Sequence, residues 1–468
     1  MKIESEDMAP KFGTSGLRGL VVELTPELIR TYTRAFLAVC PHDGTVHVGR
    51  DLRASSPALA DAVISAITEA GHAAVDHGVL PTPALALAAA AAGQAAIIVT
   101  GSHIPADRNG LKFYTPKGEI GKADETAILE ACGRAFKEAA TSGTRRQTAD
   151  ALKAYAARYL EAFGPDALTG LRIGVYEHSS AARDVLAEVL EGLGARVVRL
   201  ARSDSFIPVD TEAVDPETRA RFARWCGDHG LDALVSTDGD ADRPMLTDAD
   251  GQMVPGDVLG PLTARYLKAE VICTPVSSNT LVDAMGDFTE VRRTRVGSPF
   301  VIAAMEERAG TRVAGYEANG GFLLGFTAQG PRGPIAPLMT RDCLLPIIAP
   351  LAAARAAGLD VAGLVSALPR RFTAADRIAG IASERAAAFV QRLSAGAEAR
   401  DGFFGMHPPE SGVDLTDGLR TSFADGTVIH LRPSGNAPEF RCYAEADTPE
   451  RAQTLVRDTL KAVAQELA

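Results

Sequence analysis

Three carboxylates alternate in the stretch DGDADR at 238–243, and an arginine follows the last of them. Asp238, Asp240 and Asp242 stand at i, i+2 and i+4, a spacing that in a turn can aim all three at one hard cation. A calcium EF-hand loop would need glycine at its sixth position and glutamate at its twelfth; those positions hold Arg243 and Ala249. Two readings stay open: a Mg2+ site that also ligates a phosphate, and a solvated acidic turn. A second stretch, VTGSHIPADRNGLKFY at 99–114, ends an apolar run in Ser102 and His103, with Lys112 beyond. A serine after a strand is ordinarily a turn or cap residue. Ser-His adjacency suggests a hydrolase nucleophile, but G-x-S-x-G is absent because positions 100 and 104 are Thr and Ile. If the loop faces a Mg2+ site, Ser102 can instead carry a phosphoryl group, whose transfer needs charge neutralisation and in-line positioning. Lys112 and His103 would then supply positive charge or move a proton, against the plain alternatives of a solvated Lys and a buried His.

Three further stretches carry weaker signals. RPSGNAPEFR at 432–441 sets a Ser-Gly-Asn turn between Arg432 and Arg441, which suits a phosphate monoester or a plain hairpin with surface arginines. GYEANGG at 315–321 offers Glu317 and Asn319 for hydrogen bonds to sugar hydroxyls, or is an ordinary glycine-rich turn. KFGTSGLRG at 11–19 places Arg18 in a glycine-rich, phosphate-compatible loop.

The elements that must position these loops repeat. TVHVGRD at 45–51 reads as a strand, Ser55-Ser56 opens a helix to about residue 70, AAVDHGV is a strand, a helix runs over 82–92, and AAIIVT leads into the Ser102 loop. The plan returns at 171–177: Ser179-Ser180 opens a helix, RVVRLA is a strand, 216–228 is helical, and DALVST leads into DGDADR. It returns again at 271–276: Ser277-Ser278 opens a helix, VRRTRV is a strand, 299–308 is helical, and TRVAGYE leads into the glycine-rich loop. The paired serines are expected as helix N-caps. Alternating strands and helices with short joins indicate βαβ units and largely parallel sheets, whose functional loops lie at the carboxyl ends of strands. Three equivalent loops with different chemistry predict one site assembled from three domains. The last ~95 residues break the plan; short alternating strands and the helix PERAQTLVRDTLKAVAQEL predict an α+β domain with an antiparallel sheet. The expected division is 1–147, 148–251, 252–369 and 370–468.

Bulk properties agree. A chain of 468 residues makes three or four domains at ~100–200 residues each. With 46% hydrophobic and 23% charged residues the composition is that of a soluble globular protein. The net charge of −11 argues against nucleic acid or an anionic membrane as main partner. Six cysteines without C-x-x-C spacing read as reduced thiols of a cytoplasmic protein. The N-terminal MKIESEDMAPKFG has no apolar core and is not read as a signal peptide. The apolar segment 84–99 is broken by Gly93 and Gln94, so it reads as a helix end and a buried strand.

Taken in order, FGTSGLRG, TGSHIPADRNGLK, DGDADR, GYEANGG and RPSGNAPEFR resemble the α-D-phosphohexomutases, the phosphomannomutase and phosphoglucomutase superfamily, along the whole chain. The resemblance implies four domains around a central cleft, the first three of like α/β topology. It implies that Ser102 is a phosphoserine and that Asp238, Asp240 and Asp242 bind Mg2+ with one phosphoserine oxygen. Arg243 would lie beside the transferring group, with Arg18, His103 and Lys112 assisting. Glu317 and Asn319 would contact ring hydroxyls, and Arg432, Ser434, Gly435 and Asn436, flanked by Arg441, would hold the phosphate that is not reacting. The implied reaction moves a phosphoryl group between Ser102 and a hexose 1- or 6-phosphate through a hexose 1,6-bisphosphate, which also serves as activator, with the last domain as the moving part.

The chain departs from the usual pattern at Gly101, Ile104, Ala241, Asn319, Gly321, Asn436-Ala437 and Ser298-Pro299, the last pair where many members carry a basic residue. The overall pattern is most similar to bacterial phosphomannomutases that feed GDP-mannose synthesis, with mannose as the preferred sugar and a monomer or homodimer expected. A phosphoglucomutase or dual-specificity mutase is the first alternative, ahead of a phosphoglucosamine mutase. A Mg2+-dependent phosphatase would release free phosphate as fast as it isomerises. A noncatalytic sugar-phosphate sensor would carry no phosphate on Ser102.

Overall fold

Three units with one sheet order succeed each other in the computed structural model, which describes residues 10–13, 16–433 and 439–467. In the first, strands Thr45–Arg50, Ala73–Val79 and Ala95–Val99 are parallel with the earliest strand in the middle, and Arg108–Thr115 lies antiparallel beside the third. The second repeats this with Arg172–His178, Arg196–Arg202, Ala233–Thr237 and an antiparallel Pro244–Leu246. The third uses Val271–Pro275, Glu290–Thr294, Val313–Tyr316 and an antiparallel Phe322–Leu324. The sheets are therefore mixed: these three strands of each unit are parallel, and in the first unit Arg145–Gln147 adds a further parallel strand beside Ala73–Val79. Every third strand, Ala95–Val99, Ala233–Thr237 and Val313–Tyr316, is buried at every position, as a strand covered on both faces must be.

The loop after each third strand carries the chemistry. Because the units share a topology, each such loop leaves its sheet at the same place, the carboxyl end of a parallel strand. Two strands extend the frame around them. Gly16–Leu20 pairs antiparallel with Arg108–Thr115, setting Arg18 opposite Gly110. Leu338–Asp342 pairs antiparallel with Phe322–Leu324.

The expected helices form, with two corrections. After Ser277-Ser278 only one turn, Leu281–Ala284, is helical; Gly286, at φ 71 in the left-handed region, follows it closely. The paired serines also do not cap in the expected way, since no N-cap hydrogen bond is made by Ser55, and the helix Arg183–Gly192 starts three residues after Ser180. Their hydroxyls tie helix starts to other segments: Ser56 donates to Asp51, and Ser180 bonds Thr237 and accepts from the Ala182 N–H.

One apolar core runs from the helix Thr82–Ala92 of the first unit through the second and third units. The C-terminal unit has its own core. Its five strands, in the spatial order Phe372–Ala379, Glu439–Ala446, Val428–Pro433, Leu419–Phe423 and Glu410–Asp414, are all antiparallel. Leu419–Phe423 alternates buried and half-buried positions, the period-2 pattern of a sheet with one face on a core. The helix Pro449–Glu466 closes the unit. No helix among the described residues is long and apolar enough to cross a membrane. All six cysteines are free.

Candidate active site

Ser102 is fully buried at φ 52, a left-handed backbone that costs a non-glycine residue about 1–2 kcal/mol. The loop is held there by Asp51, just past the strand Thr45–Arg50, and by Arg53. Asp51 Oδ2 accepts from Thr100 Oγ1 at 2.8 Å and from the Gly101 N–H at 3.3 Å. Arg53 Nη2 donates to the carbonyls of Ser102 at 2.9 Å and Ile104 at 2.6 Å; Nη1 donates to those of Pro105 at 2.6 Å and Arg108 at 2.9 Å. A Cβ at Gly101 would lie 2.6 Å from Arg53 Cζ and Nε, so the guanidinium occupies the space a side chain would need. Neither Asp51 nor Arg53 stood out in the sequence. Their only signal was a charged pair at the carboxyl end of a buried strand.

Ser102 reaches across to the second unit, donating from Oγ to Asp238 Oδ2 at 2.6 Å, with His103 Nδ1 3.2 Å away. The two loops meet backbone to backbone, since a Cβ at Gly239 would lie 2.7 Å from the Ser102 carbonyl oxygen. Asp238 also shapes its own loop: Oδ1 accepts from the N–H groups of Asp242 at 3.1 Å and Arg243 at 3.2 Å. Ala241 takes φ 58 within that turn. This is why glycine is common at such a position, and Ala241 carries the strain instead.

Asp238, Asp240 and Asp242 are buried and each offers an oxygen within 4.8 Å of the others. Lys112 Nζ donates to Asp240 Oδ2 at 2.5 Å and Asp242 Oδ2 at 2.6 Å, and Thr82 Oγ1 donates to Asp240 Oδ2 at 2.7 Å. The remaining oxygens, Asp240 Oδ1 and Asp242 Oδ1, are buried with no hydrogen-bond partner among the described residues. Orphaned buried carboxylate oxygens are costly unless a cation meets them, and hard oxygen donors are what Mg2+ takes. Burial and the charges of Asp240 and Asp242 push Asp238 well above the usual carboxylate range, crowding that a divalent cation would relieve. Burial would lower the Lys112 ammonium, but Asp240 and Asp242 outweigh it and raise it.

Arg243 Nε is buried without a hydrogen-bond partner among the described residues and sits 4.0 Å from Asp238 and 3.9 Å from Asp242. Burial, then the nearby Arg243, lowers Arg18 to about 10. Burial, then Arg243 and Arg18, holds His103 below its usual range and hence neutral. In the third unit, Glu317 Oε2 accepts from Arg341 Nη1 at 2.9 Å. Asn319 Oδ1 accepts from the Gly321 N–H at 3.0 Å, closing the turn, while its Nδ2 lies 3.5 Å from Glu317 Oε2. Arg341, absent from the sequence reading, also donates from Nη2 to Asp242 Oδ2 at 2.6 Å. Its strand reads LMTRD, and nothing in that short polar stretch sets Arg341 apart. Ser298, where a basic residue is common, instead donates to Glu119 Oε2 of the first unit at 3.0 Å.

The structure thus brings together Ser102, His103, Lys112, Arg18, the three aspartates, Arg243 and Glu317. Arg432 and Arg441 face each other in register on adjacent strands. Arg432 Nε donates to Asp417 at 2.9 Å, and Arg441 Nη2 to Glu439 at 3.4 Å. Ser434, Gly435 and Asn436 lie outside the described residues.

Comparison with known proteins accounts for nearly all of the chain. Residues 9–139, 152–251 and 255–372 match the phosphoglucomutase/phosphomannomutase alpha/beta/alpha domains I, II and III, and 374–462 match the C-terminal domain of the same proteins. A phosphomannomutase of Sinorhizobium fredii is 45% identical over 97% of this chain and 98% of its own. A phosphomannomutase of Salmonella muenchen is 42% identical over 97% and 96%. A crystal structure of a phosphoglucomutase/phosphomannomutase family protein from Burkholderia thailandensis superposes with a TM-score of 0.79 at 23% identity, covering 100% of this chain and 99% of its own.

Proposed function

The chain belongs to the phosphoglucomutase/phosphomannomutase family, and on that premise we propose that it is a phosphohexomutase that interconverts hexose 1-phosphate and hexose 6-phosphate through phospho-Ser102. The observation that carries this reading is Ser102 Oγ 2.6 Å from Asp238, beside a buried triad that leaves two carboxylate oxygens without hydrogen-bond partners among the described residues. Asp238, Asp240 and Asp242 would hold Mg2+ together with the phosphoserine. When bound, Mg2+ supplies charge neutralisation for phosphoryl transfer.

The residues divide the remaining work. Phospho-Ser102 gives its phosphoryl group to the free hydroxyl of a hexose monophosphate: the P–Oγ bond breaks, a P–O bond to the sugar forms, and the proton of the sugar hydroxyl is balanced by the one that Ser102 Oγ takes up as it becomes a hydroxyl again. His103, neutral and 3.2 Å from Ser102 Oγ, exchanges the proton of the Ser102 hydroxyl in the step that rephosphorylates it. Lys112 occupies one oxygen each of Asp240 and Asp242 and leaves the other free for the cation. Arg243 and Arg18 bring positive charge to the phosphoryl group. Glu317 and Asn319 read ring hydroxyls, while Arg432 and Arg441, with Ser434, Gly435 and Asn436, hold the other phosphate. Hexose 1,6-bisphosphate turns around in the cleft and returns its second phosphoryl group; supplied in trace, it is the activator.

Mannose is assigned as the preferred sugar, a reading supported by relatives named phosphomannomutase at 45% and 42% identity. Isomerisation of mannose 1-phosphate and glucose 1-phosphate, run side by side with Mg2+ and trace glucose 1,6-bisphosphate, tests it. The expected result is a higher kcat/KM for mannose 1-phosphate, and loss of at least about 10³-fold in kcat for Ser102→Ala. Near-normal turnover by Ser102→Ala would refute the phosphoserine; equal constants for both sugars would replace the mannose assignment with dual specificity.

A further inference from the structure

Arg341 belongs to none of the motifs that pointed to the site, yet it hydrogen-bonds both the carboxylate loop and the sugar loop. It lies on the strand Leu338–Asp342, which pairs with the strand that follows the 317–321 turn. Nη1 meets Glu317 Oε2 at 2.9 Å and Nη2 meets Asp242 Oδ2 at 2.6 Å. The side chain is only 5% exposed. A planar guanidinium holds two carboxylates in the fixed geometry of its fork, whereas an ammonium is a point charge with rotatable donors.

Position 321 is shaped for it. A Cβ at Gly321 would lie 2.6 Å from Cδ, 2.8 Å from Cγ and 2.9 Å from Cβ of Arg341. The stem of the arginine therefore fills the space where a side chain at 321 would stand. The fork also decides which oxygens stay free. Asp242 Oδ2 is taken by Arg341 and Lys112, so Oδ1 is the orphan. Glu317 Oε2 takes both its bonds, from Arg341 and Asn319, leaving Oε1 without a hydrogen-bond partner among the described residues.

We propose that Arg341 is a positioning residue that binds the metal-facing and sugar-facing carboxylates into one unit, presenting Asp242 Oδ1 to the cation and Glu317 Oε1 to a sugar hydroxyl. It thereby sets where the hexose stands relative to the phosphoryl group. This inference rests on the mutase reading.

The test uses the full chain with Arg341→Lys, Arg341→Met, Glu317→Gln and the double variant Glu317→Gln/Arg341→Met. Each is assayed with mannose 1-phosphate, with melting temperature and Mn2+ affinity of the unphosphorylated protein measured alongside. Arg341→Lys keeps the buried charge but lacks the fork; the expected result is a melting temperature near that of the wild type, KM within about threefold, kcat lower by at least about 30-fold, and Mn2+ bound about fivefold more weakly. Glu317→Gln is expected to cost far less in the Arg341→Met background than alone, since a unit already broken cannot be broken again. Additive losses in the double variant, or wild-type kcat and Mn2+ affinity in Arg341→Lys, would make Arg341 a tie between chain segments and overturn the proposal. No turnover by the wild type would refute the mutase reading itself; the Arg341 assignment then stands or falls on the Mn2+ constant of Arg341→Lys.

Discussion

His178 and His430 show what single buried residues contribute away from the chemistry. His178 donates from Nε2 to the Thr237 carbonyl at 2.9 Å, one residue before the carboxylate triad, and His430 donates to the Asp417 carbonyl at 2.6 Å. In both the other nitrogen is buried without a hydrogen-bond partner among the described residues. Burial pushes each down to about 4. An unfolded histidine titrates near 6.5, so on acidification the unfolded chain takes up its proton first. The stability each neutral ring contributes is complete above about pH 6.5 and is lost progressively as pH falls toward 4, reaching up to about 2 kcal/mol each at pH 5. The melting temperature of the wild type is thus expected to fall between pH 7 and pH 5 by more than that of a His178→Gln/His430→Gln double variant. Equal falls would show that neither ring is neutral for this reason.

At the scale of elements, a strand end and a loop act as one piece through Arg53. Its five side-chain hydrogen bonds go to Asp51 and to carbonyls of 102, 104, 105 and 108. Arg53→Met would leave Asp51 buried without its ion pair and free the Ser102 backbone, at a cost of about 3–5 kcal/mol. Because the loss falls on the placement of Ser102, kcat is expected to drop at least about 100-fold with KM little changed. Gly101→Ala, which pushes on the same guanidinium, is expected to cost about 1–3 kcal/mol by overpacking. Steady-state kinetics and thermal melts of the two variants check both values; a Gly101→Ala protein as stable and active as wild type would mean that the loop has slack. Arg53 also marks the limit of what the sequence discloses. Ser102, Lys112, the aspartates and Glu317 were legible because each lies on a loop after a buried strand, or in the strand just beyond it, and the three units repeat. Arg53, Thr82 and Arg341 were not, because each bonds segments 49 or more residues away, and nothing local marks such a contact. The departures at Gly101 and Gly321 were visible as letters, but their cause, an arginine lying in the space of each missing side chain, exists only in three dimensions. The paired serines misled for the same reason: their hydroxyls serve segments that the local pattern does not contain.

The whole molecule divides unevenly. The first three units are joined by one continuous apolar core, whereas the C-terminal unit, which carries Arg432 and Arg441, has a core of its own. Among the described residues its bonds to the third unit are polar. Glu445 accepts from the N–H and Oγ1 of Thr280, Asp417 Oδ2 accepts from the Val296 N–H at 2.9 Å, and the Arg371 carbonyl accepts from Asn279 Nδ2 at 3.0 Å. Interfaces of this polar kind allow units to move relative to one another, as a large apolar one does not. Asp417 ties that interface to Arg432, because the same Oδ2 accepts from Arg432 Nε. Glu445 is 3% exposed, and Glu445→Ala would leave the Thr280 donors unpaired, at about 1–3 kcal/mol. The C-terminal unit should then spend less time seated on the third. On the proposed function this unit holds the nonreacting phosphate, and among the described residues it makes no hydrogen bond to Ser102 or the aspartates, so the expected kinetic result is a KM raised roughly three- to tenfold with kcat within about threefold. Hydrogen exchange should quicken at residues 279–282 and 439–446 and stay unchanged in the strand Ala95–Val99. If exchange quickens but KM does not move, the seating of this unit does not govern how the phosphate is held. If neither changes, the contacts at Asp417 and Asn279 suffice to seat the unit without Glu445.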